Sequence, residues 1–242
     1  MSKIKNERVS VIFNRDFKEY KSGKSFKILM AVYVLITIVI SIKILLSSQG
    51  DAALKLTLCN TLFLLALVPT IVNIPIFTTV PLTRDKINGT MANLLATPLC
   101  PKEIVHGKSL AIFFPGYIIS VLNPLLIMLV VNFVLIVPAD GSLYMPLPLL
   151  LTIFVITPIF VYGLTEFTIQ LSMIKSPELA ISPSYLIGFA LMIGIPICSA
   201  TGAIDLTSWS FVLLYLGAAF LMWILVWSLS LLLTKERIIL SN

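Results

Sequence analysis

The feature that most constrains this chain is the recurrence of apolar runs close to the length a helix needs to cross a bilayer, about 20 residues at about 1.5 Å each. Six can be drawn, near residues 26–47, 57–80, 109–136, 147–171, 184–203 and 209–233. Hydrocarbon offers no partner to a backbone N–H or C=O, so each run is predicted to satisfy its own by forming a helix. Composition argues the same way. The chain is 58% hydrophobic and 12% charged, about half the charged fraction of soluble domains and too little to cover a soluble globule. The expected fold class is an all-α polytopic membrane protein with six transmembrane helices.

The first run starts only near Phe26, after a long charged leader, and no small-residue cleavage pattern follows Leu46. It is therefore expected to be a retained span and not a cleaved signal peptide. Within the leader, Val9, Ile12, Phe13, Phe17 and Tyr20 recur at helical spacing, with Lys5, Arg8, Arg15, Lys18 and Lys21 between them. That pattern predicts a basic amphipathic helix suited to the headgroup layer. Its direct continuation through Ser22, Gly23, Lys24 and Lys27 into a span favours the membrane surface over packing on a soluble body. The expected organisation is a connector over 1–25, a transmembrane domain over 26–233 that includes a cytosolic loop at 81–108, and a tail at 234–242.

Orientation follows from Lys and Arg, which stay cytoplasmic in short loops. With six spans, the leader, the 81–108 loop, the 172–183 loop and the tail share one side, and nearly all the cations fall there, including Arg84, Lys86, Lys102, Lys108, Lys175, Lys235 and Arg237. The other side has Lys55, with Lys43 near the outer end of the first span, beside Asp51, Asp140 and Asp205. Both termini are expected in the cytoplasm of a multi-pass protein of the cell membrane. The basic balance, with a pI near 9.3, is accounted for by anionic lipid and a cytosolic surface without invoking nucleic acid.

Chemistry-bearing residues are sparse. His106 has no second His or Cys at ligand spacing, so no metal site is expected and a solvated loop residue is the plain reading. No nucleotide-cradling glycine loop with the GxxxxGK[ST] pattern occurs. Cys59, Cys100 and Cys198 are odd in number and far apart, which suits packing better than a disulfide framework. Glu166, in GLTEFTIQ with Gln170 one turn on, either lines a polar entrance to a pathway or packs near the interface. Asn60, Asn73, Asn123 and Asn132 are expected to bond between helices. Pro69 and Pro75 predict a kinked second span, while Gly188, Gly194, Pro196 and Gly202 leave open whether the fifth is continuous or re-entrant. So few buried charges suit a hydrophobic or amphipathic cargo better than a bare ion.

The most polar stretch between two spans is the 81–108 loop. Arg84, Asp85 and Lys86 mark the membrane exit and Gly89 breaks the chain. Thr90 is placed to cap a short helix with Met91, Leu94 and Leu95 on one face. Pro98 disfavours a helical Thr97, and Pro101 can open the next helix at its first turn, leading through Lys102, Glu103 and Ile104.

The segment GTMANLLATPLCPKEIVHGKSLA resembles the cytosolic loop of type-2 ABC transporter permeases at Gly89, Thr90, Leu94, Leu95, Thr97, Pro98, Glu103, Ile104, Gly107 and Lys108. The outline is similar over nearly the whole chain. Asn93 stands where the family often carries an acid, and Arg84, Asp85 and Lys86 stand where it often carries an acidic pair. The resemblance implies that the loop holds a coupling helix docking on a separate cytosolic ATPase, with Arg84, Asp85, Lys86, Gly89, Thr90, Met91, Leu94, Leu95, Thr97, Pro98 and Glu103 as the coupling residues. It further implies an assembly of two ATPase subunits, which bind the ATP and Mg, with two copies of this chain or one copy and a homologous permease. The expected function is export of cargo by a subunit with no cofactor and no catalytic residue of its own. Two other readings stand beside it. One is a membrane-embedded enzyme acting on lipid, for which Glu166, His106 and scattered hydroxyls are the available groups. The other is a non-transporting anchor or immunity-type protein with a permease-like fold.

Overall fold

A computed structural model describes residues 2–46, 51–88, 90–97, 99–174, 177–234 and 238. The leader folds as α1 (Ser2–Ser22), interrupted at Gly23, whose N–H returns to the Tyr20 carbonyl at 3.0 Å. The chain continues as α2 (Lys24–Leu46), α3 (Asp51–Ile87), the short α4 (Thr90–Ala96) and α5 (Pro101–Val131). A π-helical turn at Asn132–Ile136 carries α5 into α6 (Val137–Asp140), which Gly141 ends at a φ of 68°. α7 (Leu147–Leu151) passes through a second π turn, Thr152–Ile156, into α8 (Thr157–Ile174), followed by α9 (Pro177–Ala200) and α10 (Trp209–Leu232). No strand occurs among the described residues.

Among the described residues, six helical stretches are long and apolar enough to cross a membrane: Phe26–Leu45, Ala53–Asp85, Pro101–Ala139, Leu147–Ile174, Leu179–Ala200 and Trp209–Leu232. The number matches the sequence expectation, but the lengths do not all match. The second and third helices overshoot the apolar runs because good helix formers such as Leu82, Arg84, Lys86, Lys102 and Glu103 extend them beyond the hydrophobic stretch. The fifth is unbroken from Pro177 to Ala200. Gly188 is a contact point there and not a break, since a Cβ would sit 2.5 Å from Ile71 Cγ2 on α3. Small residues at such crossings let apolar helices approach.

α3 runs through the middle of the bundle, packed mainly on α5 and α9. Its Phe63, Leu67 and Ile74 join Ile127, Val131, Ile153 and Tyr215 in one core. α3 and α5 touch backbone to backbone at Gly116, where a Cβ would lie 3.0 Å from both the Pro69 carbonyl oxygen and Thr70 Cα. A second apolar cluster closes one end: Ile12 and Tyr20 from α1, Phe77 from α3, Ile104 and Ile112 from α5, Met173 from α8, with Leu233 and Ile238 after α10. The leader, the 81–108 loop and the segment after α10 therefore share one end of the bundle, as an even number of spans requires. By contrast, α2, α9 and α10 leave broad apolar faces open, among them Leu35, Val39, Leu186, Leu213 and Phe220. Exposed apolar surface on this scale suits contact with lipid tails.

The stripe on α1 meets protein as well as any surface: Ile12 and Tyr20 are buried against the bundle end with Phe13 and Phe17 packed beside them, and Asp16 is buried there too. One sequence expectation is corrected. Of the four asparagines expected to bond between helices, Asn132 is the one seen to bond, and it holds the connection after α6 through Tyr144. Asn60 Oδ1, both polar atoms of Asn73 and Asn123 Nδ2 are buried without a partner among the described residues.

Candidate functional site

The 81–108 loop is smaller than its sequence suggests, because α3 stays helical through Arg84 and Asp85 to Ile87 and α5 begins at Pro101. Between them α4 occupies Thr90–Ala96, with Thr90 as its first residue and not its cap. Thr97 closes the helix, its N–H donating to the Leu94 carbonyl at 3.2 Å and its hydroxyl to the same oxygen. Gly89 and Pro98 lie outside the described residues, as do the side chains of Lys86, Met91 and Leu95.

Leu94, expected on a face that meets a partner, packs instead with Leu99 against the apolar cluster at the bundle end. A seven-residue helix cannot hold itself in water, so it anchors through the nearest apolar surface. Asn93 and Ala96, three residues apart and so on one face, are exposed. Glu103 is likewise turned inward. It is 6% exposed, accepts the Cys100 N–H at 3.0 Å as a capping carboxylate for α5, and lies 3.9 Å from Arg8.

Beneath the loop lies a buried charge network that ties three helices together. Lys108 on α5, 1% exposed, donates to Asp16 on α1 at 3.1 Å and to Asp85 on α3 at 2.7 Å. The second oxygen of Asp16 accepts from Arg15 at 2.8 Å. Two cations thus face two carboxylates, the balance that burial demands. Arg84 pairs with Glu19 beside it. Tyr20 sits in this corner against Phe77, and its phenol is pushed well above the usual range by burial, then by the nearby charges of Asp16 and Asp85. Gly107 lets α1 cross this closely, since a Cβ there would meet Ile12 Cβ at 2.8 Å and the Val9 carbonyl oxygen at 3.2 Å. Arg84 and Asp85, expected as docking residues, are thus each ion-paired within the chain at the base of the loop, Arg84 with its side chain still exposed.

A second cluster lies on the other side of α5. Tyr162 and Glu166, one turn apart on α8, converge on His106: the Tyr162 hydroxyl is 2.7 Å from Nδ1 and Glu166 Oε2 is 3.9 Å from the same atom. That Glu166 oxygen is buried and has no well-aligned hydrogen-bond donor among the described residues. His106 and Glu166 line a cavity of about 740 Å³ walled by Phe13, Phe114, Lys102 and Glu103. His106 is therefore more than a solvated loop residue. Nothing in the sequence signals its meeting with an α8 pair 56 residues away. Gln170, the other expected pathway residue, is buried one turn on with its Oε1 unpartnered and does not line this cavity.

No protein-family model, curated protein or solved structure matches this chain.

Proposed function

We propose that this chain is the membrane-spanning subunit of an ATP-binding-cassette transporter of the type-2 permease class. A separate cytosolic ATPase, binding ATP and Mg, drives it through the 81–108 loop. The observation that carries this reading is the placement of α4. It is a short helix seated at one end of the bundle, between two long helices whose ends are tied to each other and to α1 by Lys108, Asp16 and Asp85. A push or pull on α4 reaches α3 and α5 together, because their junction is held by buried ion pairs that cost several kcal/mol to break. Two such subunits, each with its ATPase, would alternate between inward- and outward-facing arrangements as ATP binds. The basic end carrying the loop and both termini would lie in the cytoplasm.

The wide cavity at His106 and Glu166 suits the polar head of an amphipathic cargo, with Phe13 and Phe114 beside it for an apolar part. Export of such a cargo is the direction proposed. By linkage, a cargo that favours one arrangement must change the ATPase rate.

The test is co-purification of the host's cytosolic ATPases with the chain in nanodiscs. Wild type is compared with an Asn93→Arg, Ala96→Arg double variant, which alters the exposed face of α4, and with Leu94→Asp, which alters its seat. Loss of a specifically retained ATPase in the double variant, at unchanged helicity, is the expected result. Full retention in that variant would remove α4 as the docking element.

A second reading rests on the same cluster: His106 held beside Glu166 could act as a base in an enzyme acting on lipid. Turnover of bilayer lipid by the purified chain without any ATPase, lost in His106→Ala, would favour it.

A further inference from the structure

A cavity of about 380 Å³ opens between α2 and α3 toward the end of the bundle opposite the termini. We propose that it holds one anionic glycerophospholipid drawn from the membrane leaflet at that end. The proposal needs only the six spans and is independent of the transport reading.

The polarity of the walls is graded along the membrane normal. α2 is pinned to α3 where the Tyr33 hydroxyl donates to the Pro69 carbonyl at 3.4 Å, and Gly116 of α5 lies at that same level against Pro69 and Thr70. From there Lys43 is ten residues up α2, about 15 Å at 1.5 Å per residue. Asn123 is seven residues up α5, about 10 Å in the same direction, and Thr61 lies at a similar height on α3. Lys43, Asn123 and Thr61 all line the cavity. The deeper walls are Tyr33, Ile36, Leu65 and Val68. From mouth to floor the polar groups run from Thr57 and Lys43 to Thr61 and Asn123, with Ile44 and Ile40 among them, and the floor below is hydrocarbon apart from the Tyr33 hydroxyl, which is bonded to Pro69.

That order matches a phospholipid with its phosphate at Lys43, its ester carbonyls at Asn123 and an acyl chain along the floor. Asn123 supplies the independent sign of a ligand. It is 7% exposed, and its Nδ2, a hydrogen-bond donor, has no acceptor among the described residues. Lys43 is exposed and makes no ion pair among the described residues. The neighbouring cation, Lys55, is engaged over the ring of Tyr144 at 5.5 Å and does not line the cavity. A zwitterionic lipid also brings a phosphate, but its own headgroup cation already balances that charge and competes with Lys43, whereas an anionic headgroup leaves its negative charge for the Lys43 ammonium. A second copy of the chain seated on this face would bury that ammonium against exposed apolar residues of α2 such as Leu35 and Val39, and no carboxylate among the described residues of α2 offsets the cost.

The experiment is native mass spectrometry of the full chain in detergent with equimolar dioleoylphosphatidylglycerol and dioleoylphosphatidylcholine. The wild type is expected to retain one phosphatidylglycerol with roughly tenfold preference, about 1.4 kcal/mol. Lys43→Gln should bring the preference close to one, whereas Lys21→Gln on the basic leader should leave it unchanged. Asn123→Leu should weaken retention several-fold, and Val68→Trp, which fills the floor, should abolish it with helicity and melting intact. Equal retention of the two lipids by wild type, or a preference that survives Lys43→Gln, would overturn the proposal. So would a disulfide between copies of an Ile40→Cys variant formed in place of lipid retention.

Discussion

Lys108 Nζ lies 3.1 Å from Asp16 Oδ2 across 92 residues of sequence, and both side chains are almost wholly excluded from solvent. The contact fixes the leader helix to the foot of α5, and Asp85 on the same ammonium brings in the end of α3. Such a pair adds little stability compared with an apolar replacement of both partners, but removing one partner strands the other.

Lys108→Met should therefore lower stability by about 3–5 kcal/mol, because it leaves Asp16 and Asp85 buried with one remaining cation, Arg15. Thermal unfolding in detergent followed by circular dichroism measures it. The Asp16→Asn, Lys108→Met double variant should lose less than the sum of the two single losses, since the groups are coupled. Additive losses would show that the two residues do not act as a pair.

The glycines separate into two kinds. At Gly116 an added Cβ meets Asn73 Nδ2 at 2.6 Å and backbone atoms at 3.0 Å, which cannot yield without parting α3 from α5. Gly116→Ala should cost about 1–3 kcal/mol by overpacking. At Gly163 the nearest atoms, on Met222 and Trp223, stand at 3.4 Å, an ordinary contact. Gly163→Ala should be neutral or stabilising by up to about 1 kcal/mol through helix propensity. Thermal melts of the two variants give the order, and a larger loss at Gly163 would contradict the packing described.

The spans were legible because length and apolarity are properties of single segments, and the start of α5 was legible because Pro101 and Glu103 encode a helix N-terminus locally. What a segment meets was not. Asp16 sits among Arg15, Lys18 and Glu19 and looks like part of a solvated face; only the fold brings Lys108 to it. Leu94 reads as an apolar face waiting for a partner, yet the bundle end already covers part of it. In the fifth helix Gly188 and Pro196 leave a break open in the sequence, whereas the helix is continuous and Gly188 marks the close approach of Ile71. His106, Tyr162 and Glu166 come from two helices whose relative rotation no periodicity reports. The π turns at Asn132 and Thr152 carry no repeating pattern either.

The corner around Tyr20 sets an alkaline limit. Its phenol is held above the usual value by burial and by the Asp16 and Asp85 carboxylates, so the folded state keeps a proton that the unfolded chain gives up near pH 10. The stabilisation is complete below that pH and is lost as pH rises beyond it, toward the higher folded-state value. Wild type should lose stability between about pH 10 and 11 more steeply than Tyr20→Phe. Chemical denaturation at several pH values compares the two slopes, and parallel curves would exclude a buried, proton-holding phenol.

Asn132 and Asn123 make opposite use of the same side chain. Asn132 accepts the Tyr144 N–H at 2.7 Å and donates to the carbonyls of Tyr144 at 3.2 Å and Met128 at 2.8 Å. Asn132→Leu leaves the Tyr144 backbone without these partners and should cost about 1–3 kcal/mol, with faster amide exchange at Tyr144. Tyr144 also meets Cys59 Sγ at 3.6 Å, so the loosened connection should increase thiol reactivity at Cys59. Asn123 Nδ2 bonds to nothing among the described residues, so Asn123→Leu removes no hydrogen bond of that NH2 group and should be neutral or slightly stabilising in lipid-free detergent. Hydrogen exchange and melting of the two variants side by side test the contrast. A large loss from Asn123→Leu without lipid would mean that the amide has a partner inside the protein, which would also remove the reason to place a lipid ester beside it.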